Sequence, residues 1–512
     1  MKKKLLYVAL LAAGTISGAF AQNASDSQVL DRIREEGMLH SKVMESAFIL
    51  TDVSGPRLAN SPGLKRAQDW AVNALKGWGM VNAKREPWGK FGKGWEVQKN
   101  YAAITVPYYH AIITVPKAWT PGTNGLVKSG VVVLKVDSLS DLDKYKGKLK
   151  GKIVMLDTKP MVERSFKADA SRFTDDELNE LSVQTSAVSS RPRPAGNLTG
   201  LAGFRTALNK FYIDEGVSLV LSQGRGTDGT LFTSGGTAYA DTAKTVSPEL
   251  ETSSEDFQRI LRLVNGGVPV TLEADIKTQF FTNDLNGYNV VGEIEGSDKK
   301  SELVIIGGHL DSWHAATGAT DNAAGSAIML EAMRILKRIG FKPRRTIRVV
   351  LWSSEEQGLH GSRNYVLNHF GDPKTMTLKP EQAKVSVYYN LDNGAGKIRG
   401  IYAQGNEAVK PIFQSWLEPV KDLGANTVTI RNTGGTDHLA FDAIGIPGFQ
   451  FIQDGLDYGS RTHHSNQDTY DRLNEDDLKQ AATIVATFVY NTSQRDELMP
   501  RKELPKPAPA KN

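Results

Sequence analysis

Between residues 307 and 469 the chain carries, in order, a His, an Asp, a Glu preceded by another Glu, an Asp and a His, each in its own short fragment. The fragments are Gly307-Gly308-His309-Leu310-Asp311, Gly318-Ala319-Thr320-Asp321-Asn322, Trp352-Ser353-Ser354-Glu355-Glu356, Asn390-Leu391-Asp392 and His463-His464-Ser465-Asn466-Gln467-Asp468-Thr469. Imidazole and carboxylate are the ligands zinc takes in catalytic sites, and a carboxylate left free of metal can serve as general base toward a water there. Taken singly, such residues are commonly turn formers, caps or hydrogen-bonded surface groups. Together they describe the ligand set of a two-zinc hydrolase.

The elements that must position them can be read from apolar patterning. Ser301 to Gly308 is an apolar run that predicts a buried strand delivering His309; Thr346 to Trp352 predicts a second, before Glu355 and Glu356; Lys384 to Leu391 predicts a third, before Asp392. Candidate ligands therefore fall just beyond the carboxyl ends of three strands, where open α/β sheets put their active sites. Ala323 to Ile339 has helical apolar spacing, with Ala327, Met329, Leu330, Met333, Leu336 and Ile339 on one broad face. Asp321 precedes that helix, so a capping role competes with ligation.

These fragments resemble the metallopeptidases with two co-catalytic zincs that include leucyl aminopeptidases and the plasma glutamate carboxypeptidase (carboxypeptidase Q) type. The likeness to the latter runs through His309-Leu310-Asp311-Ser312-Trp313, Glu355-Glu356-Gln357-Gly358 and His463-His464-Ser465 before Asp468-Thr469, and upstream through Thr51-Asp52-Val53-Ser54-Gly55-Pro56-Arg57-Leu58. The resemblance implies two Zn2+ per chain, one held by His309 and Asp392, the other by Glu356 and His464, with Asp321 bridging. It also implies Glu355 as general base and Asp311 as the carboxylate that orients the His309 imidazole. The resemblance implies His464 rather than His463 as ligand, because it stands four residues before Asp468 as the family's ligand His stands before its Asp-Thr, which leaves His463 beside the metals or the substrate. In relatives the stretch that Thr433-Gly434-Gly435-Thr436-Asp437-His438 resembles lies near the substrate pocket, which implies Asp437 and His438 as readers of a substrate terminus, against the simpler reading of Asp437 as a helix cap.

The implied fold is α/β: a zinc exopeptidase-type α/β/α sandwich with a mixed central sheet and an inserted, mostly β, protease-associated domain. The insertion is expected at 123–247, where short strands such as Gly130 to Leu134, Gly151 to Leu156 and Val217 to Leu221 follow one another, and Lys146 to Val154 resembles that module. The catalytic domain then occupies 22–122 and 248–497. Arg164 to Pro194 reads as an exposed loop, and 498–512 as a disordered tail. Residues 1–21 form a signal peptide, from Lys2-Lys3-Lys4, the apolar run Leu5 to Ala13 and the Ala19-Phe20-Ala21 site, so a periplasmic or extracellular location is expected.

Composition agrees with a large globular enzyme of 512 residues, 40% hydrophobic and 23% charged. Removing Lys2, Lys3 and Lys4 takes Lys plus Arg from 62 to 59 against 57 acidic residues, a net +2 that does not suggest nucleic acid as partner. Cysteine is absent, so metal ligation must be by N and O. No stretch of the mature chain approaches membrane-spanning length. The expected partner is a short peptide, chiefly an unblocked dipeptide; the alternatives are an aminopeptidase trimming longer peptides, a glutaminyl cyclase or a non-catalytic binding protein. Oligomeric state stays open, a homodimer included.

Overall fold

A computed structural model describes residues 26–159, 165–187, 198–233 and 238–506. The expected signal peptide and the last six residues of the expected tail lie outside them. Two eight-stranded sheets organise the described residues. The main sheet runs, edge to edge, Val81–Lys90, Asn286–Ile294, Arg345–Trp352, Lys299–His309, Val385–Asn390, Gly448–Gln453, Ile398–Tyr402 and Thr427–Thr429. The central four of these, from Arg345–Trp352 to Gly448–Gln453, are mutually parallel, whereas Val81–Lys90 and Asn286–Ile294 are antiparallel additions and Ile398–Tyr402 runs against its neighbour Gly448–Gln453.

The parallel centre is covered on both faces, which is why its strands read as nearly continuous apolar runs. Helices Pro62–Gly77, Ala324–Arg338 and Glu475–Gln494 pack one face around Val304, Ile306, Val349 and Leu351, while His360–His369 and His438–Asp442 cover the other around Ile305, Val350 and Tyr388. Each fully buried aliphatic side chain there contributes about 1.5–3 kcal/mol relative to exposure. Helix Pro62–Gly77 begins on Ser61, whose hydroxyl accepts from Leu64 N at 3.2 Å, with Pro62 at its first turn. Helix Ala324–Arg338 is buried all round from Ala324 to Leu336, a wider burial than one apolar face predicts, because Glu475–Gln494 and Val43–Phe48 both lie against it. Its Glu331 is accommodated by Arg334, Ser41 and Lys42 N.

The second sheet takes strands from residue 94 to 281, in the order His110–Ala111, Gly94–Val106, Thr271–Phe281, Val127–Leu134, Ile153–Leu156, Leu219–Gln223, Glu249–Thr252 and Thr114–Pro116. It therefore recruits the long pair Gly94–Val106 and Thr271–Phe281 from either side of the 123–247 segment. It has its own core, including Ile153, Leu219, Leu221, Leu272 and Ile260 of helix Ser254–Asn265.

Two expectations are corrected. The segment read as an exposed loop contains helix Asp175–Ser182, started by a capping box in which Thr174 accepts from Glu177 N and Glu177 accepts from Thr174 N. Part of the segment read as a disordered tail is docked: Met499 N donates to Ser386 Oγ, Arg501 donates to the carbonyls of Gly445, Gln382 and Val385, and Lys502 pairs with Asp442. Met499 is buried in the main core, and backbone and charge contacts then hold Arg501 and Lys502.

Candidate active site

The parallel strands deliver most of the site. His309 ends strand Lys299–His309, and Asp392 lies two residues beyond Val385–Asn390. His309 Nδ1 donates to the Asp311 main-chain carbonyl at 2.9 Å, which leaves Nε2 turned inward, 3.1 Å from Asp392 Oδ1 and 3.2 Å from Asp321 Oδ1. Asp321 does not cap the helix that follows. That duty belongs to Asn322, whose Oδ1 accepts from Gly325 N at 2.9 Å while its Nδ2 donates to Leu391 O. A Cβ on Gly325 would come within 2.3 Å of both Asn322 Oδ1 and Leu391 O, so this helix start needs glycine.

The other half of the site lies on loops. Past Trp352 the chain turns sharply through Ser354 at φ 57°, and Glu355 and Glu356 diverge. Both backbone N–H groups donate to the Asp311 carboxylate, at 3.2 and 3.4 Å. Glu356 Oε2 is 2.9 Å from His464 Nε2, which lies 3.2 Å from Asp321 Oδ2. Asp321 thus offers one oxygen to each half. His463, half exposed, stands 3.9 Å from the same Asp321 oxygen and packs against His464 with ring centres 3.8 Å apart and planes tilted by 38°.

Asp311 behaves differently from expectation. It meets His309 through its main-chain carbonyl, and its carboxylate, 3.8 Å from the imidazole, anchors the Glu355-Glu356 turn instead. Asp437 is fully buried and makes no capping hydrogen bond; Ser362, beside it, donates to Leu359 O. Burial pushes the Asp437 carboxyl up to about 7. His438 is held away from the ligand cluster by Gln404 and the Thr433 carbonyl, and burial lowers it to about 4, so it is neutral.

Sequence reasoning missed two supports. Arg57, in the Gly55-Pro56-Arg57 turn, is wholly buried and donates to the carbonyls of Leu310, Leu50, Thr317 and Gly318, gripping the chain between His309 and Asp321. Burial lowers it to about 10 against the pull of Asp468, Asp311, Asp321 and Glu356, so it remains a cation. Asp468 accepts from Thr320 N at 2.6 Å and Asp321 N at 3.1 Å, fixing the backbone that presents Asp321. A buried Arg beside an otherwise acidic site is the signal that Gly-Pro-Arg carried.

Burial and crowding set the electrostatics. Burial raises Glu355 well above the usual carboxylate range, opposed by His309 and reinforced by Asp392, Asp437 and Glu356. Glu356 is raised by burial and then by Asp321. For His309 burial opposes protonation, yet Asp392, Glu355 and Asp321 outweigh it and raise the imidazole. Uncompensated buried carboxylates are costly unless paired or bound to metal. Asp321 Oδ2 and Glu356 Oε1 are buried with no hydrogen-bond partner. The ligand atoms of His309, Asp321 and Asp392 lie within 4.8 Å of one another, as do those of Asp321, His463 and His464. An imidazole and carboxylate set with orphaned oxygens fits zinc.

Comparison with known proteins agrees with this geometry. Residues 289–489 match the sequence profile of Peptidase family M28, spanning the strands and loops that carry all five candidate ligands. The chain is 26% identical over 470 residues to carboxypeptidase Q of Bos taurus, covering 91% of this chain and 88% of that protein. It resembles the crystal structure of a peptidase M28 precursor from Shewanella amazonensis with a TM-score of 0.67 and 26% identity, covering 94% of this chain and 99% of that one. It shares the fold of BSAP, a zinc aminopeptidase from Bacillus subtilis, at a TM-score of 0.55 and 18% identity, covering 89% of this chain and 95% of that one. The ligand-bearing strand ends and the acidic buried centre fall within the segment that matches peptidase family M28, and this likeness, with that to carboxypeptidase Q, supports a zinc exopeptidase.

Proposed function

We propose that the chain hydrolyses short peptides, chiefly unblocked dipeptides, at two zinc ions, one on His309 and Asp392, the other on Glu356 and His464, with Asp321 shared. The observation that carries this reading is the position of Asp321, each of whose oxygens lies 3.2 Å from the inward nitrogen of a different histidine. When bound, the two ions would polarise the scissile carbonyl and acidify a water. Glu355, buried beside Asp392 and not itself a ligand, takes the water's proton on its carboxylate and returns it to the leaving amine; the burial that raises it suits a group that must hold a proton between those events. Asp437, buried and free of capping duty, is the reader of a free α-amine, and His438 positions its helix through Gln404 and Thr433. His463 flanks the entrance beside Tyr458.

The dipeptide preference is supported by likeness to carboxypeptidase Q over most of both chains. Residues 1–21 act as a cleaved export signal; no helix among the described residues is long and apolar enough to cross a membrane. The segment 123–247 is a protease-associated module. The test is a panel of free, N-acetylated and C-amidated dipeptides and tripeptides with zinc-loaded protein. Cleavage of the free dipeptides and rejection of N-acetylated ones is expected, since a blocked amine leaves a buried carboxylate unpaired. Efficient hydrolysis of N-acetylated dipeptides would falsify the free-amine requirement, and stepwise trimming of long peptides with dipeptides ignored would establish an aminopeptidase instead.

A further inference from the structure

The loop that carries His464 is gripped by the second sheet's unit, not by the sheet that carries the other ligands. Phe232 pairs antiparallel with Ser465, Thr233 N donates to the His464 carbonyl at 2.7 Å, and Asn466 N donates to Leu231 O at 3.1 Å. The Asn466 side chain closes the same contact, accepting from Leu231 N at 2.8 Å and donating to Gly229 O at 3.0 Å. Three residues before His464, Arg461 donates to Thr227 O and Thr230 Oγ1, both at 2.8 Å, and pairs with Asp169 at 2.6 Å and Asp228 at 3.0 Å. Thr233 is in turn fixed to Glu251 of strand Glu249–Thr252. His464 itself has φ 61°, a left-handed conformation that a non-glycine residue keeps only when its surroundings enforce it.

We propose that Arg461 and Asn466 are positioning residues through which the inserted segments 169–172 and 227–233 hold His464 in ligating geometry, so that occupancy of the Glu356–His464 site depends on the insertion while that of the His309–Asp392 site does not. The inference rests on the two-metal reading. The His309 half has supports of its own among the described residues: Asp311 O, Asn322, Ser326 and Arg57. Arg461 suits the task because its planar fork meets a carbonyl, a hydroxyl and two carboxylates at once, which a lysine cannot do.

The test is titration of metal-free full-length protein with Zn2+ against a chromophoric chelator, resolving two dissociation constants. Arg461→Ala and Asn466→Ala should each weaken one zinc about 10–100-fold, the usual cost of losing a group that orients a ligand, and leave the other unchanged. Arg461→Lys should recover only part of the loss. In the His464→Ala background Arg461→Ala should have no further effect on the remaining site, because its route to metal is already cut. Equal weakening of both sites, or an undiminished loss in that background, overturns the inference as mere destabilisation. Unchanged affinities in both Arg461→Ala and Asn466→Ala overturn it while leaving the two-metal reading intact, whereas a wild-type chain binding fewer than two ions defeats that reading and this inference with it.

Discussion

The two halves of the site are built by different means. His309 and Asp392 stand at the ends of neighbouring parallel strands whose hydrogen-bonded register fixes their separation, Ile306 opposite Tyr389 and Gly307 opposite Asn390. His464 stands eleven residues past strand Gly448–Gln453, at the end of a loop whose position depends on partners from residues 169–172 and 227–233. One half inherits its geometry from a buried sheet and the other borrows it from a neighbouring unit. Precision in the first should survive surface damage, and precision in the second should not.

Four substitutions sharpen that contrast. Asp321→Ala, which touches both halves, should abolish zinc retention and peptide hydrolysis together, read by elemental analysis beside an activity assay; retention of both ions would show that Asp321 is not shared. Glu355→Gln should keep both metals and the folded state and lose about 10²–10⁴-fold in turnover, the usual contribution of a positioned base. Glu356→Ala should lose metal; if Glu355→Gln sheds it equally, the roles of the consecutive glutamates have been exchanged. Arg57→Met should cost about 3–5 kcal/mol of stability by urea unfolding, because it strands buried carbonyls and removes the cation facing Asp468, Asp311, Asp321 and Glu356. A loss below about 1 kcal/mol would mean that Arg57 is not an essential counter-charge. Asp228→Ala should be the mildest, since Asp228 is 76% exposed and Arg461 retains Asp169; no shift of the urea-unfolding midpoint is expected, and a clear loss would show that the exposed pair matters.

The same division explains what could be read from sequence. Ligands at strand ends were legible because an apolar run, a glycine pair and a chemical residue lie in one short stretch, as in Ile305 to His309. The Glu355-Glu356 turn was legible for the same reason. What the sequence hid was long-range: that Asp311 would anchor Glu355 and Glu356 through its carboxylate, that Arg57 would reach four carbonyls, and that Leu231 to Thr233 would pair with Ser465 and Asn466. Partners separated by tens to hundreds of residues leave no local pattern. The docking of Arg501 on Gly445 and Val385 carbonyls was invisible for that reason too, whereas helix Asp175–Ser182 had an available cue in Thr174 and Glu177. The second sheet's extent was underestimated because Gly94–Val106 and Thr271–Phe281 find each other only in the fold.

The central claim is that one buried aspartate joins two metal sites of unlike construction. It is tested most directly by zinc content per chain in the wild type, His464→Ala and Asp321→Ala, measured by elemental analysis after exhaustive dialysis. The account predicts two ions, one ion and none respectively. A single ion in fully active wild-type protein, or two ions retained by His464→Ala, would contradict it.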